Sequence, residues 1–170
     1  MLARLPIKKG GKHYGTCALT DDLTPVLDKI THAHGLILGS PVYFGSVSGE
    51  MRSFMERLLF PKSVYADPYQ TLFTRTINTG FIYTMNLTEE GMKAWGIDSH
   101  LSLNETMLQN VFGASESFFC HDTYQFKDYS AVVQSRFDPE KKAQRREAVF
   151  PKDCEKAFDM GRRFAMTSDH

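Results

Sequence analysis

Hydrophobic residues recur at helical spacing in three segments of the chain. In DDLTPVLDKITHAHG, residues 21–35, acidic residues and Pro25 in the first turn and a glycine at the end mark the boundaries of an amphipathic helix. A second helix is predicted over residues 47–59, and a third over LNETMLQNVFG, residues 103–113, which stops at its glycine. The inward faces of the first and third helices are expected to contain Leu23, Val26, Leu27, Ile30 and Ala33, and Leu103, Met107, Leu108, Val111 and Phe112.

Short apolar segments between these helices predict strands. Residues 36–38 form a continuous apolar run bounded by glycines, the pattern of a strand that is buried on both faces of a parallel sheet. RTINTGFIYTMN, residues 75–86, is rich in β-branched and aromatic residues and predicts a second strand. SESFFC, residues 115–120, predicts a third, and residues 61–69 are expected to form a loop.

The last part of the chain predicts two more helices, one opened by Asp138 and Pro139 and one running from Pro151. Strands thus alternate with helices, which predicts a three-layer α/β fold of parallel strands joined by right-handed crossovers, with helices on both faces. In such sheets, ligands bind beyond the carboxyl ends of the strands. The inward positions of the last helix are expected to be Cys154, Ala157, Phe158 and Gly161.

The totals favour one domain over residues 1–170 and exclude several classes of partner. Lys plus Arg equals Asp plus Glu at 20 each, so no overall field attracts nucleic acid or an anionic membrane. No apolar run reaches the roughly 20 residues that span a bilayer. Three cysteines without C-x-x-C spacing fit a reducing compartment, and we expect a cytoplasmic protein without a metal site.

The segment SPVYFGSVSG, residues 40–49, follows the first predicted strand and opens the second helix. Its glycines and serines let the backbone approach a ligand closely, and the amides ahead of the helix are expected to point outward without partners. Tyr43 and Phe44 add flat faces. Amide donors beside aromatic planes suit a planar heterocycle such as the isoalloxazine of a flavin, although such a segment is also typical of a tight connection without a ligand.

Other motifs that would indicate a different chemistry are absent from the sequence. Neither G-x-x-x-x-G-K-[ST] nor a strand followed by G-x-G-x-x-G occurs. GSVSG places Val47 where the nucleophilic serine of G-x-S-x-G would stand, which disfavours a hydrolase. His32 and His34 lie too far apart in angle to share a metal on one helix face. No catalytic or metal-ligating side chain is therefore predicted.

Four segments carry a resemblance to a known family. SPVYFGSVSGEMRSFMERL resembles the flavin-binding loop and following helix of the NADPH-dependent FMN reductase family, a flavodoxin-like group that includes the iron-sulfur flavoproteins. GTCALTDDLTPVLDKITHAHGLILG, the strand end YTMN and the later segment CHDTYQF are also similar to that family. The resemblance covers nearly the whole chain.

The resemblance implies a five-stranded, doubly wound, flavodoxin-like domain that binds FMN. Such a protein transfers reducing equivalents from NADPH or NADH to a small-molecule acceptor such as a quinone or a flavin, with the cofactor carrying the hydride chemistry. A homo-oligomer is expected, because family sites often draw on a second subunit. Carried over by position, the FMN-binding residues would be Ser40, Pro41, Val42, Tyr43, Phe44, Gly45, Ser46, Thr84, Met85 and Asn86.

The chain departs from the family pattern at its beginning. The family starts with a strand, a phosphate-binding loop, a helix and a second strand, whereas here the similarity begins at about Ile7. The strand at residues 36–38 is therefore expected to have an exposed edge, in a fragment of a longer protein or in a chain whose edge another chain completes. Only Cys17 lies where iron-sulfur members carry a compact group of cysteines, so no cluster is expected.

This departure leaves two alternatives to the oxidoreductase. The chain could keep the fold without FMN and serve as a binding or assembly subunit, or it could hold FMN and carry single electrons to a protein partner. Two basic groups are interpreted as solvated surfaces and not as phosphate sites. They are Lys8, Lys9, Lys12 and His13 near the beginning, and Lys141, Lys142, Arg145 and Arg146 on a late helix.

Overall fold

The computed structural model describes residues 10–166, which form six α-helices, two short 3₁₀ helices and six strands. The predicted start of the family similarity at Ile7, and Lys8 and Lys9, lie outside these residues. The helices are α1 (Thr24–His32), α2 (Gly49–Leu59), α3 (Glu89–Ala94), α4 (Ile97–Phe112), α5 (Pro139–Ala148) and α6 (Phe150–Met166). The strands are β1 (Gly35–Tyr43), β2 (Ser46–Val47), β3 (Ser63–Val64), β4 (Gln70–Thr71), β5 (Ile77–Thr84) and β6 (Gly113–Cys120).

Three parallel strands form the centre of the structure, in the order β1, β5, β6. Leu38 lies opposite Phe81, and Phe81 lies opposite Ser117, within an unbroken register that joins residues 35–41 of β1 to β5 and the whole of β5 to β6. The short strand β2 joins the sheet antiparallel to the end of β1. The predicted α/β fold is confirmed, and within residues 10–166 the sheet has four strands where the resemblance implied five.

The other edge of β1 has no strand beside residues 35–41 within the described part of the chain. An exposed edge was expected here. Ile37 is also 39% exposed, so the prediction of a strand buried on both faces was wrong for the face that carries this residue. The expected homo-oligomer is not tested by a single chain and stays a prediction.

Helices cover both faces of the sheet, and the alternation of side chains along β5 shows how. Phe81 and Tyr83 point towards α4, where Tyr83 Oη receives a hydrogen bond of 3.2 Å from Asn104 Nδ2. Their rings stack with centroids 4.2 Å apart, and burial raises the pKa of Tyr83 to about 12. Gly80 points to the opposite face, where a Cβ would lie 2.6 Å from Met160 Sδ of α6. Gly80 therefore allows α6 to lie directly on the sheet.

Several exposed apolar residues correct the predicted helix faces. In α6 the predicted inward residues Cys154 and Phe158 are exposed, and the buried residues are Asp153 and Met160. Asp153 is buried because its carboxylate is paired with Arg145 at 2.9 Å. A charged residue can thus occupy an inward position, which the apolar pattern alone does not predict. Three other residues predicted to face inward are also exposed, namely Val26, Leu103 and Met107.

The structure also corrects the bounds of two elements. Helix α4 begins at Ile97 and not at Leu103. Gly96, with a positive φ of 66°, precedes its first residue, and Ile97, Leu101 and Asn104 are buried on one face of the helix. The amide side chain of Asn104 interrupts the apolar pattern, although it is satisfied by Tyr83. The predicted loop at residues 61–69 contains one strand of the small β3–β4 hairpin.

None of the helices over residues 10–166 has the length and apolarity to cross a membrane.

The junction between α4 and β6 provides a test of the fold. Gly113 has a φ of 102°, and a Cβ there would lie 2.5 Å from Thr76 Cγ2. We expect Gly113→Ala to lower the free energy of unfolding by about 2–4 kcal/mol, because both backbone strain and a steric clash oppose it.

The matched control for this substitution is Gly49→Ala. A Cβ on Gly49 meets nothing within 4 Å, and the residue is the first of α2, so alanine is expected to be neutral or slightly stabilising. Urea unfolding of both variants measures the difference. Equal stabilities of the two variants would contradict the conformation of Gly113.

Candidate functional site

The segment that follows the core of β1 is a β-hairpin and not an open loop. Phe44 and Gly45 form its two-residue turn with positive φ values of 51° and 78°, the combination found in type I′ turns. Tyr43 pairs with Ser46 on the two sides of this turn. The hairpin carries the chain from the end of β1 to the start of α2, and it places the turn beyond the carboxyl end of the sheet.

Serine side chains join this hairpin to α2. The Ser48 backbone N–H donates to Ser40 Oγ at 3.0 Å, and the Met51 N–H donates to Ser48 Oγ at 3.2 Å. The prediction that the amides ahead of the helix lack partners was therefore wrong for Ser48. Ser40 is buried, and its hydroxyl fixes the position of the hairpin relative to the helix.

The end of β5 forms a second wall beside the hairpin. Because β1 and β5 are parallel and Pro41 lies opposite Thr84, the chain leaves both strands at the same edge of the sheet. Backbone bonds then fix the segment after β5. Met85 N–H donates to Cys120 O at 2.9 Å, and Asp122 N–H donates to Leu87 O at 2.8 Å. The second wall is thus held by the residues that follow β6.

A cavity of about 590 Å³, which we call the ring cavity, lies between these walls. Five of the ten residues predicted to bind FMN line this cavity. The other five do not line it, namely Ser40, Pro41, Tyr43, Ser46 and Thr84. A role for either group in ligand binding stays a prediction. The lining residues are Val42, Phe44, Gly45, Met85, Asn86, Leu87, Trp95, Gly96, Ile97, His100, Arg136 and Phe137.

Sequence reasoning missed the third wall of the ring cavity. Trp95 stands at the junction of α3 and α4, in the segment EEGMKAWGIDSH, whose sequence is compatible either with a cover over the acceptor side or with a surface connection. Arg136 and Phe137 come from the irregular segment before α5, where no sequence signal indicated a site. Only the packing of α4 against β5 and β6 brings Trp95 and Ile97 to the hairpin.

Two aromatic side chains in the ring cavity are largely exposed. Phe44 is fully exposed and Trp95 is 71% exposed, although both rings line the same cavity. Gly45 lies against Ile97, since a Cβ on this glycine would lie 3.4 Å from Ile97 Cγ1. Phe44 and Trp95 thus present flat apolar faces to the ring cavity, and Gly45 has no side chain that would fill it.

A buried lysine holds the wall at Asn86. Lys142 is 3% exposed, so the interpretation of this residue as part of a solvated helix face was wrong. Its ammonium pairs with Asp122, donates to Asn86 Oδ1 and donates to Asn86 O at 3.2 Å. Asn86 Nδ2 in turn donates to Gln125 at 3.0 Å. Both ends of the Asn86 side-chain amide therefore have partners within the protein, and these contacts fix the position of the wall.

Arg136 supplies a positive charge to the ring cavity, and the imidazole of His100 also lines this cavity. Within residues 10–166 the side chains of both residues form no hydrogen bond or ion pair, and no carboxylate lines the cavity. The cavity can therefore accept an anionic group beside its aromatic faces. Among the described residues, no group of three or more His, Cys, Asp or Glu side chains lies close enough to hold a metal ion.

Comparison with known proteins supports the resemblance found in the sequence. Residues 2–77 match the sequence model of the family described as NADPH-dependent FMN reductase. A segment of 46 residues is 48% identical to an iron-sulfur flavoprotein of Methanocaldococcus jannaschii, and covers 27% of this chain and 24% of that protein. A segment of 43 residues is 37% identical to an iron-sulfur flavoprotein of Archaeoglobus fulgidus, and covers 25% of this chain and 21% of that protein.

A solved structure supports the fold. The NAD(P)H:quinone oxidoreductase from Methanothermobacter marburgensis is similar, with a TM-score of 0.52, 14% sequence identity, and coverage of 75% of this chain and 62% of that chain. The resemblance to the FMN reductase and iron-sulfur flavoprotein group is thus confirmed over residues 2–77, and the flavodoxin-like α/β fold is also confirmed. The matched segments span about a quarter or less of each curated relative.

The two neighbouring lysines of α5 test the support of the Asn86 wall. We expect Lys142→Met to lower the free energy of unfolding by about 2–3 kcal/mol, because it leaves the Asp122 carboxylate and the oxygens of Asn86 without their cation. Lys141→Met is the control. Its side chain is 82% exposed and 3.9 Å from Asp138, so a change within about 0.5 kcal/mol is expected.

Urea unfolding of the two variants measures this difference. A Lys142→Met variant as stable as Lys141→Met would show that the buried lysine does not hold the wall.

Proposed function

We propose that the ring cavity binds FMN and that the chain acts in an NAD(P)H-dependent oxidoreductase. Reducing equivalents would pass from NADPH or NADH to a small acceptor such as a quinone or a flavin. The proposal combines the geometry of the cavity with the match of residues 2–77 to the FMN reductase family. It does not require a catalytic acid or base from the chain.

The conformation of Phe44 is the observation that carries this proposal. A bulky residue with a φ of 51° is a backbone outlier, and asparagine or glycine suits this turn position better. Packing in the core does not compensate for this strain, because the Phe44 side chain is fully exposed. Strained residues of this kind cluster at ligand sites. A flat ring bound against Phe44 gives the side chain the contact that the fold does not.

The residues of the ring cavity fit the isoalloxazine. Its volume of about 590 Å³ lies within the range of roughly 300–1,000 Å³ for small-molecule sites. Phe44 and Trp95 would flank the ring, and Val42, Met85 and Ile97 would cover its apolar parts. These side chains would exclude water and fix the orientation of the ring.

Arg136 and His100 would hold the anionic part of a ligand in the same cavity. Arg136 is permanently charged and can form two parallel hydrogen bonds to a phosphate. Bound FMN would supply hydride transfer, and the protein would supply the orientation of the ring. The contribution of Lys142 would be indirect, through the position of Asn86.

Trp95 is the single tryptophan of the chain and provides a direct assay for FMN. Because its ring lines the cavity, we expect FMN to quench its fluorescence saturably with one site per chain, and the bound protein to show flavin absorbance. NADPH oxidation that depends on added quinone would then separate an enzyme from an electron carrier. A preparation that neither quenches nor turns yellow with FMN would favour the subunit without a cofactor.

Substitutions in the hairpin turn separate binding from folding. We expect Phe44→Asn to weaken FMN binding about tenfold, because it removes a stacking face, while the stability of the protein is unchanged or higher. Tyr65→Asn is the control, since Tyr65 is 81% exposed and does not line the ring cavity. Gly45→Val should weaken both binding and stability, because its φ of 78° disfavours a side chain.

Trp95 quenching and urea unfolding measure these two effects separately. Unchanged FMN affinity in Phe44→Asn would count against the assigned turn.

A further inference from the structure

A second cavity, of about 510 Å³, lies at the opposite end of the sheet. His32 ends α1 just before β1, and Arg75 precedes β5, so both mark the amino ends of parallel strands. Lys62 reaches the same end because α2 runs back along the sheet from the hairpin. The length of β1 separates this cavity from the ring cavity by roughly 25 Å. We call it the basic cavity.

Lys62 is a buried lysine whose ammonium has no ion-paired or hydrogen-bonded partner among the described residues. The residue is 9% exposed, and within residues 10–166 its ammonium forms no hydrogen bond and no ion pair. Lysine is almost never buried unless it is paired, because loss of water around the charge is costly. Burial lowers the pKa of Lys62, and the charge of Asp28 opposes this shift. The Phe73 ring, 5.7 Å from Nζ, provides the one specific contact that the ammonium makes in the described structure.

Arg75 adds a second positive charge to the basic cavity. Its guanidinium lies 5.8 Å from the centroid of the same Phe73 ring, and it donates to Ala33 O at 2.5 Å. Two cations therefore share one aromatic ring, and His32 lines the cavity beside them. No carboxylate is among the lining residues. The charges that line this cavity therefore suit an anion.

We propose that the basic cavity binds a phosphate-bearing small molecule through Lys62 and Arg75. A phosphate accepts both the point charge of an ammonium and the paired N–H groups of a guanidinium. The hydroxyl groups of Thr16 and Thr74 line the same cavity and can donate to further phosphate oxygens. The volume leaves room for more than a single phosphate group. This site is separate from the proposed function and does not depend on FMN binding.

Calorimetric titration of the flavin-free chain with phosphate, pyrophosphate and ADP, at constant ionic strength, tests the proposal. We expect saturable binding of at least one of these probes, and a loss of about tenfold or more in its affinity in both Lys62→Met and Arg75→Gln. A preference for pyrophosphate or ADP over phosphate would identify a diphosphate as the ligand chemistry. Lys29→Met is the control, because Lys29 is exposed on the neighbouring helix α1 and does not line the cavity.

Stability in the absence of the probes separates a binding role from a structural one. Lys62→Met should then be at least as stable as the wild type, because it removes a buried charge without a partner. FMN quenching of Trp95 should be the same in Lys62→Met and in the wild type. The proposal is overturned if no probe binds saturably, or if Lys29→Met weakens binding as much as Lys62→Met. Failure of FMN to bind would leave these titrations unaffected and would concern the ring cavity alone.

Discussion

The structure depends on the parallel pairing of β1 with β5. From Gly35 opposite Asn78 to Pro41 opposite Thr84, this register brings the hairpin turn and the segment after β5 to one edge of the sheet. A slip of one residue would turn Phe81 and Tyr83 away from α4 and would separate the two walls of the ring cavity. The buried faces of β5 therefore fix both the core and the geometry of the candidate site.

The two buried lysines, Lys142 and Lys62, differ in the oxygen atoms that surround their ammonium groups. Lys142 is surrounded by oxygen atoms of Asn86, Asp122 and Thr123, so its charge stabilises the segments that form the cavity wall. Lys62 has no such oxygen atoms within the described chain. The first arrangement is complete within the fold, whereas for the second we propose an anionic ligand from outside it. The same rule of charge compensation thus explains a structural contact and a proposed ligand site.

Much of the fold followed from the sequence, because the helices α1, α2 and α4 and the strands β5 and β6 have strong apolar or β-branched patterns. The hairpin was missed because its turn places Phe44 at a positive φ, which an aromatic residue does not indicate. Asp153 was missed because an ion pair with Arg145 buries it. Trp95 and Arg136 reach the ring cavity only through tertiary packing, so no local pattern could assign them.

The central claim is that the ring cavity receives a flat ring against Phe44 and Trp95. The most direct test is a crystal structure of the chain grown with FMN. The account predicts electron density for the isoalloxazine between the hairpin turn and the junction of α3 and α4, in contact with both aromatic rings. A cavity filled by its own side chains, or FMN bound at another surface, would contradict it.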